Sequence, residues 1–291
     1  MDFSKKTAVI IILIAVLAVL TGCRTSQNTA KEVSSKDNGD KIIVFASVLP
    51  QADFVKRLGG DRVEVNVMMP PGINEHNYEP DSGQLKALSR ADIYVKVGHL
   101  PFEETWMERF LAANKNMLVV DSSRSIELID HNPHIWLSPR LVKLQAEGIT
   151  SALIKLDPQN QNFYISQKEK FLRELDSLDQ EITSILEDVK GKSMLVYHPA
   201  WGYFARDYGI KEIAIEVHGK EPGAGEMSRI IDYARKNNIK TIFASPQHST
   251  RSAQAVAEDI GGKVVALDPL PLNYFANMRE AAGVIAREIA N

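Results

Sequence analysis

Seven histidines are spread over 291 residues, and three of them stand where a metal ion could be held. His76 lies in "PPGINEHNYEP", His134 in "IDHNPHIWLSPR" beside His131, and His198 closes "SMLVYH". Asp268 closes "KVVALD". His76, His198 and Asp268 each fall at or just beyond the end of an apolar, β-rich run, and His134 precedes a helix that begins near Pro139. Ligands of open parallel sheets bind beyond the carboxyl ends of the strands, so such side chains can converge. Three neutral imidazoles and a carboxylate suit a divalent transition metal. Asp268 carries a second reading, because Asp-Pro is also a turn signal. The chain has no H-E-x-x-H, no G-x-S-x-G and no glycine-rich phosphate loop, which leaves a zinc hydrolase with only Glu75, next to His76, and the nearby Glu79 as general-base candidates.

The elements that must position these residues alternate. Strands are expected at 41–49, 63–69, 92–98 and 117–121, with helices at 81–90 and 102–113 between them. The pattern repeats with strands at 193–198, 210–217, 240–245 and 263–268 and helices at 226–237 and 252–261. Strand–helix alternation predicts an α/β fold of two similar lobes, each a parallel-type sheet flanked by helices, with the metal site in the cleft between them. Between the lobes, Phe171, Leu175, Leu178, Ile182, Ile185 and Val189 step by four and three, a one-sided helical stripe. Read from Pro158 to Lys190, with Gly191 as its stop, it predicts one long rigid helix of roughly 50 Å. The expected divisions are 41–156 and 192–291 for the lobes and 157–191 for the linking helix.

The N-terminus reads "MDFSKKTAVIIILIAVLAVLTGC". Two lysines precede an apolar run from Ala8 to Leu20, too short for a membrane span of about 20 residues but suited to a signal peptide. The run ends in a lipobox-like "LTGC" at Cys23, the only cysteine in the chain. Residues 1–22 are therefore expected to be removed and Cys23 to carry a lipid, with residues 23–40, polar and aperiodic, as a flexible tether. Such a protein is exported, anchored at the cell membrane facing the periplasm or cell exterior, and free of disulfides. A net charge of −3, or −4 after loss of Asp2, Lys5 and Lys6, gives no footprint for nucleic acid.

Taken together, "PPGINEHNYEP", "NPHIWLSP", "HPAWGYFARDYGI", "KEPGAGEM", "SPQHS" and "LDPL" resemble, in order, the motif series of the cluster A-I substrate-binding proteins. These are the zinc- and manganese-capturing receptors of ABC importers, and the resemblance runs from about Lys41 to the C-terminus. It implies His76, His134, His198 and Asp268 as metal ligands, His131 as an exposed neighbour, and two lobes joined by a long helix. It also implies capture of a metal by a monomer, hand-off to an ABC permease with its ATPase subunits, and no enzymatic activity. Three histidines favour Zn²⁺ over Mn²⁺, which prefers oxygen-rich coordination. The alternatives are a manganese or iron receptor of the same family and a receptor for a metal chelate, which would need Arg and aromatics rather than three histidines.

Departures from the family's pattern fall at two places. The His- and Asp-rich metal-collecting loop of many zinc-binding members is absent, and "VGHLPFEETWMERF" continues directly with only His99. Where many members have Glu-Pro-Gln-Phe, this chain has Ser245, Pro246, Gln247 and His248, which makes His248 a fifth candidate ligand. His218 is expected in a loop, and Trp136, Trp201 and Tyr203 either wall the cleft or belong to the core.

Overall fold

The computed structural model describes residues 40–216, 220–248 and 251–290. The expected signal peptide, the lipid-bearing Cys23, nearly all of the tether and His218 lie outside the described residues. Among the described residues no helix is long and apolar enough to cross a membrane.

The first half alternates strictly: β1 (Ile42–Ala46), α1 (Leu49–Gly59), β2 (Val63–Val67), α2 (Ser82–Leu88), β3 (Ile93–Lys96), α3 (Pro101–Ala113) and β4 (Leu118–Asp121). All pairings are parallel and the sheet order is β2-β1-β3-β4. Parallel strands need crossovers, which is why the expected strand over 41–49 stops early. Pro50 sits in the first turn of α1, and its Phe54, Val55 and Leu58 are fully buried. Asp81 caps α2 through a reciprocal pair with Gln84, which holds the helix start below the loop that carries His76.

Two helices follow without a strand. Helix α4 (Pro139–Leu156) starts under a Ser138 cap, and α5 (Gln161–Ile185) is the long linking helix. It is 25 residues, about 37 Å, and shorter than the uninterrupted rod expected from Pro158 to Lys190. Both ends tighten into 3₁₀ turns, Pro158–Asn160 and Glu187–Val189. At the first, the Asp157 carboxylate accepts from Asn160 Nδ2 and from the Tyr164 hydroxyl at 2.8 Å, which fixes a turn that straight helix would break. At the second, the turn keeps Leu186 and Val189 buried while Ile185, in line with the stripe, is 39% exposed.

The second half repeats the first: β5 (Ser193–Val196), α6 (Gly202–Tyr208), β6 (Lys211–Ala214), α7 (Ala224–Lys236), β7 (Thr241–Ala244), α8 (Arg251–Asp259), β8 (Lys263–Ala266) and α9 (Tyr274–Ile289). Its parallel order, β6-β5-β7-β8, is that of the first sheet. Leu195, Ile215, Ile242 and Val256 form the buried centre of this half.

Helix α5 joins the halves and is itself the floor on which both rest. Phe54 of α1 meets Phe171 of α5 at 5.8 Å between ring centroids, and Phe275 of α9 meets Phe171 at 5.9 Å. Phe54 and Tyr274 also touch edge to face at 4.9 Å, so the halves contact each other directly behind the cleft. Burial of each of these rings contributes about 1.5–3 kcal/mol.

Candidate metal centre

Each donor loop is aimed by short-range hydrogen bonds. Beyond β2 the chain stays in register, with the amides of Met68 and Met69 donating to the Ala46 and Ser47 carbonyls. The Tyr78 hydroxyl donates back to the Met68 carbonyl at 2.5 Å and folds the loop over. Within it, Asn74 Oδ1 accepts from the His76 amide at 2.8 Å, a local turn that points Glu75 inward and leaves His76 at the rim. The Glu75 side chain is 1% exposed and that of His76 28%. On its outer side His76 lines an open pocket of about 260 Å³ together with Tyr78, Phe102 and Trp106.

In the loop before α4, Asp130 and His131 take left-handed backbone conformations (φ 46° and 60°), which throws the His131 side chain outward. Asn132 then fixes His134: its Oδ1 accepts from the His134 amide at 2.9 Å and lies 2.6 Å from the ring Nδ1. Its Nδ2 donates to the Pro199 carbonyl in the second half at 3.0 Å. Trp136 is fully buried and its Nε1 donates to the Pro269 carbonyl at 2.6 Å, so this loop is stitched to the second half at two points. A Cβ at Gly202 would come within 3.2 Å of Asn132 Nδ2 and Glu212 Oε2; that close approach is why α6 opens on glycine. Trp201 and Tyr203 are core, and the Tyr203 hydroxyl donates to the Asn132 carbonyl at 2.8 Å.

His198 stands two residues beyond β5, and its Nδ1 donates to Glu216 Oε2 at 2.7 Å. The structure thus brings His76, His134 and His198 together around a residue the sequence reading gave only a lesser part, Glu75. Glu75 Oε1 is 3.3 Å from His134 Nε2 and 3.3 Å from His198 Nε2. His76 Nε2 is 3.5 Å from His198 Nε2. The His248 ring stacks on His198 at 4.6 Å and 28°. Donor atoms of Glu75, His76, His198 and His248 all lie within 4.8 Å of one another. Asp268 is not part of that compact set: its Oδ1 accepts from Gln247 Nε2 at 2.7 Å and from the Leu270 amide at 2.9 Å.

Burial works to raise the Glu75 carboxyl, yet hydrogen bonds and charge from His134 and His198 hold it well below the usual carboxylate range. Burial pushes His134 down to about 4, against the pull of Glu75. Burial also works to lower His198, but the carboxylates Glu216 and Glu75 outweigh it and raise the ring to about 9. His76 and His248 are lowered, first by burial and then by the His198 charge. A neutral His134 that donates Nδ1–H to Asn132 turns a lone pair toward Glu75 Oε1. In that tautomer a cation between the two acceptors, 3.3 Å apart, would stand in for the proton they otherwise share. Glu75 Oε2 is buried with no hydrogen-bond partner among the described residues, a second acceptor calling for a cation. Asn132 opens the "NPHIWLSP" stretch but spacing alone assigns it no role, and Glu216 falls in none of the motifs. Glu216 is 18 residues from the ring it holds, and only the parallel pairing of β5 with β6 brings the two together.

Comparisons with known proteins place the fold in a family. Residues 44–288 match the family described as "Zinc-uptake complex component A periplasmic". The chain is 26% identical over 292 residues to the high-affinity zinc uptake system protein ZnuA of Bacillus subtilis (strain 168), covering 91% of this chain and 89% of that protein. A solved structure of ZnuA superimposes with a TM-score of 0.82 at 42% identity, covering 86% of this chain and 99% of that one. The laminin-binding protein Lmb of Streptococcus agalactiae, described as having adhesin and metal-transporting activity, does so with a TM-score of 0.79 at 27% identity, covering 86% and 100%. Two four-stranded parallel sheets, one long helix between them and a family match over most of its length establish that this chain belongs to the zinc-uptake component A family of periplasmic binding proteins.

Proposed function

We propose that this chain is the extracytoplasmic receptor that captures Zn²⁺ in the cleft and delivers it to an ABC permease. The family is one of transport components, not enzymes. The observation that carries the reading is the convergence of His76, His134 and His198 on a buried carboxylate whose second oxygen is unpartnered. Donors from both halves share one point, so an ion bound there cross-links them. For the carboxylate position the distances favour Glu75, while Asp268, engaged by Gln247 and Leu270, is the alternative. An N/O set of this kind suits Zn²⁺ in tetrahedral coordination.

The division into lobes at 41–156 and 192–291 with a connector at 157–191 belongs to the same reading. So do removal of residues 1–22, lipid on Cys23, a tether to residue 40 and action as a monomer at the membrane. Mass spectrometry of the mature protein and of Cys23→Ala tests the anchor: a lipid mass present in the first and absent in the second is expected. For the metal, competitive titration of Zn²⁺ against Mn²⁺ decides. One tightly held zinc, lost in His198→Ala and little displaced by manganese, is expected. A manganese preference would keep the site and change the cargo, and no metal binding would sink the reading.

A further inference from the structure

One imidazole at the centre has no internal task. Both nitrogens of His248 are shut off from solvent and have no hydrogen-bond partner among the described residues, whereas His134 and His198 each use one nitrogen to hold a structural partner. Burying a ring with two idle polar atoms is costly, and the cost is relieved by a group that accepts a lone pair.

Its position in the fold is also particular. In the parallel sheet order β6-β5-β7-β8 the strand order reverses between β5 and β7, and the crevice for a ligand opens beyond that pair. Val196 and Phe243 are in register across it. His198 stands two residues past β5 and His248 four past β7, so the two rings stack at the mouth of that crevice. The segment is held there: the His248 amide donates to the Ser245 carbonyl at 3.1 Å, and Gln247 Nε2 is anchored on Asp268 at 2.7 Å. Asp268 thereby positions the residue that precedes His248.

We propose that His248 is a further metal ligand of this protein, forming with Glu75, His76 and His198 an outer donor set on the solvent side of His134. Zinc–nitrogen and zinc–oxygen bonds of about 2.0–2.2 Å require donors within about 4.4 Å of each other. The present limit is 4.8 Å, so binding would draw the four donors slightly closer together. A further imidazole tilts the site toward Zn²⁺ and away from Mn²⁺, which takes oxygen donors more readily. This inference rests on the proposed metal-capture reading.

The test uses Co²⁺ as a spectroscopic probe, with Zn²⁺ and Mn²⁺ affinities, on the whole protein and on His248→Phe. Phenylalanine keeps the stack on His198 and removes both nitrogens. Expected are a changed visible Co²⁺ spectrum, a loss of at least tenfold in Zn²⁺ affinity and a smaller loss for Mn²⁺, so that the preference for zinc narrows. An unchanged Co²⁺ spectrum overturns the assignment, whether or not affinity falls, because a packing role would leave the coordination as it was. His76→Ala is the control for the underlying reading. If it abolishes binding while His248→Phe changes nothing, only the inference fails; if it too binds normally, the metal-capture reading falls with it.

Discussion

At the scale of single residues, the centre is governed by which groups are charged before a metal arrives. His198, raised to about 9 by Glu216 and Glu75 despite its burial, carries a proton at neutral pH, which a metal bound through that ring would displace. His134, lowered to about 4, is already neutral and adds no pH dependence in that range. Zinc affinity is therefore expected to rise about tenfold per pH unit between about 6.5 and 8.5, with about one proton released. Isothermal titration in buffers of different protonation enthalpy measures this directly, and zero proton release at pH 7.5 would contradict it. The metal-free protein should show the opposite trend. A ring raised above its ordinary 6.5 stabilises the fold fully below about that pH, and the contribution is lost as pH climbs through 9. Thermal unfolding of the apoprotein should accordingly weaken from pH 6.5 to 9 while the stabilisation by zinc grows. Glu75→Gln removes the ionised oxygen that His134 and His198 share and is expected to cost about a hundredfold in zinc affinity, against less than about threefold for Asp268→Asn. The reverse ranking, in the same competition assay, would move the carboxylate assignment to Asp268.

At the scale of elements, the loops are rigid because each spends its polar groups on a neighbouring segment. Asn132 both sets the tautomer of His134 and ties the loop to Pro199. Asn132→Ala is expected to lower zinc affinity by about 10–100-fold with the fold intact, as loss of an orienting partner does. Far-UV circular dichroism beside the titration separates this from unfolding. Helix α5 acts through packing. Phe171 is 1% exposed and touches rings from α1 and α9, so Phe171→Ala leaves a cavity between both halves. It should destabilise the protein by about 3–5 kcal/mol, read as a lower urea midpoint at unchanged slope. A loss below about 1 kcal/mol would mean that the cluster is not the clamp described above.

At the scale of the whole molecule, the two halves rest on one helix and touch each other through α1 and α9 behind the cleft. Arg57 of α1 reinforces the contact, its guanidinium 4.3 Å from the Phe275 ring and 3.0 Å from Glu174 of α5. In front, Trp136 and Asn132 bridge the halves again. A hinge closure would have to break both seams. Metal capture is therefore expected to leave the solution scattering curve almost unchanged, with a difference in radius of gyration below about 1 Å between the metal-free and zinc-loaded protein. A larger compaction would show that the seams open.

Strand–helix alternation and the one-sided stripe from Phe171 to Val189 were legible in the sequence because periodicity is a local property of the chain. The histidines were legible too, since each stands in a short motif just past an apolar run or ahead of a helix. Four helices escaped a full reading. Helix α1 merges with the apolar run of β1, α6 is only a turn or two after "HPAW", α9 follows a proline-rich stretch, and α4 shows in the sequence only by its start. The linking helix proved shorter than the rod expected from Pro158 to Lys190 because its ends tighten into 3₁₀ turns, held by the Asp157–Tyr164 hydrogen bond at one end and the buried Leu186 at the other. At the centre, the sequence determined which residue types were available, three imidazoles and nearby carboxylates. Only the packing of one half against the other decided that His198 and His248 meet Glu75 and His76, while strand pairing within the second half set Glu216 on His198 and a left-handed backbone turned His131 away. Glu75 meets His134 across 59 positions within the first half and His76 meets His198 across 122 positions between the halves, and a linear pattern carries no term for either.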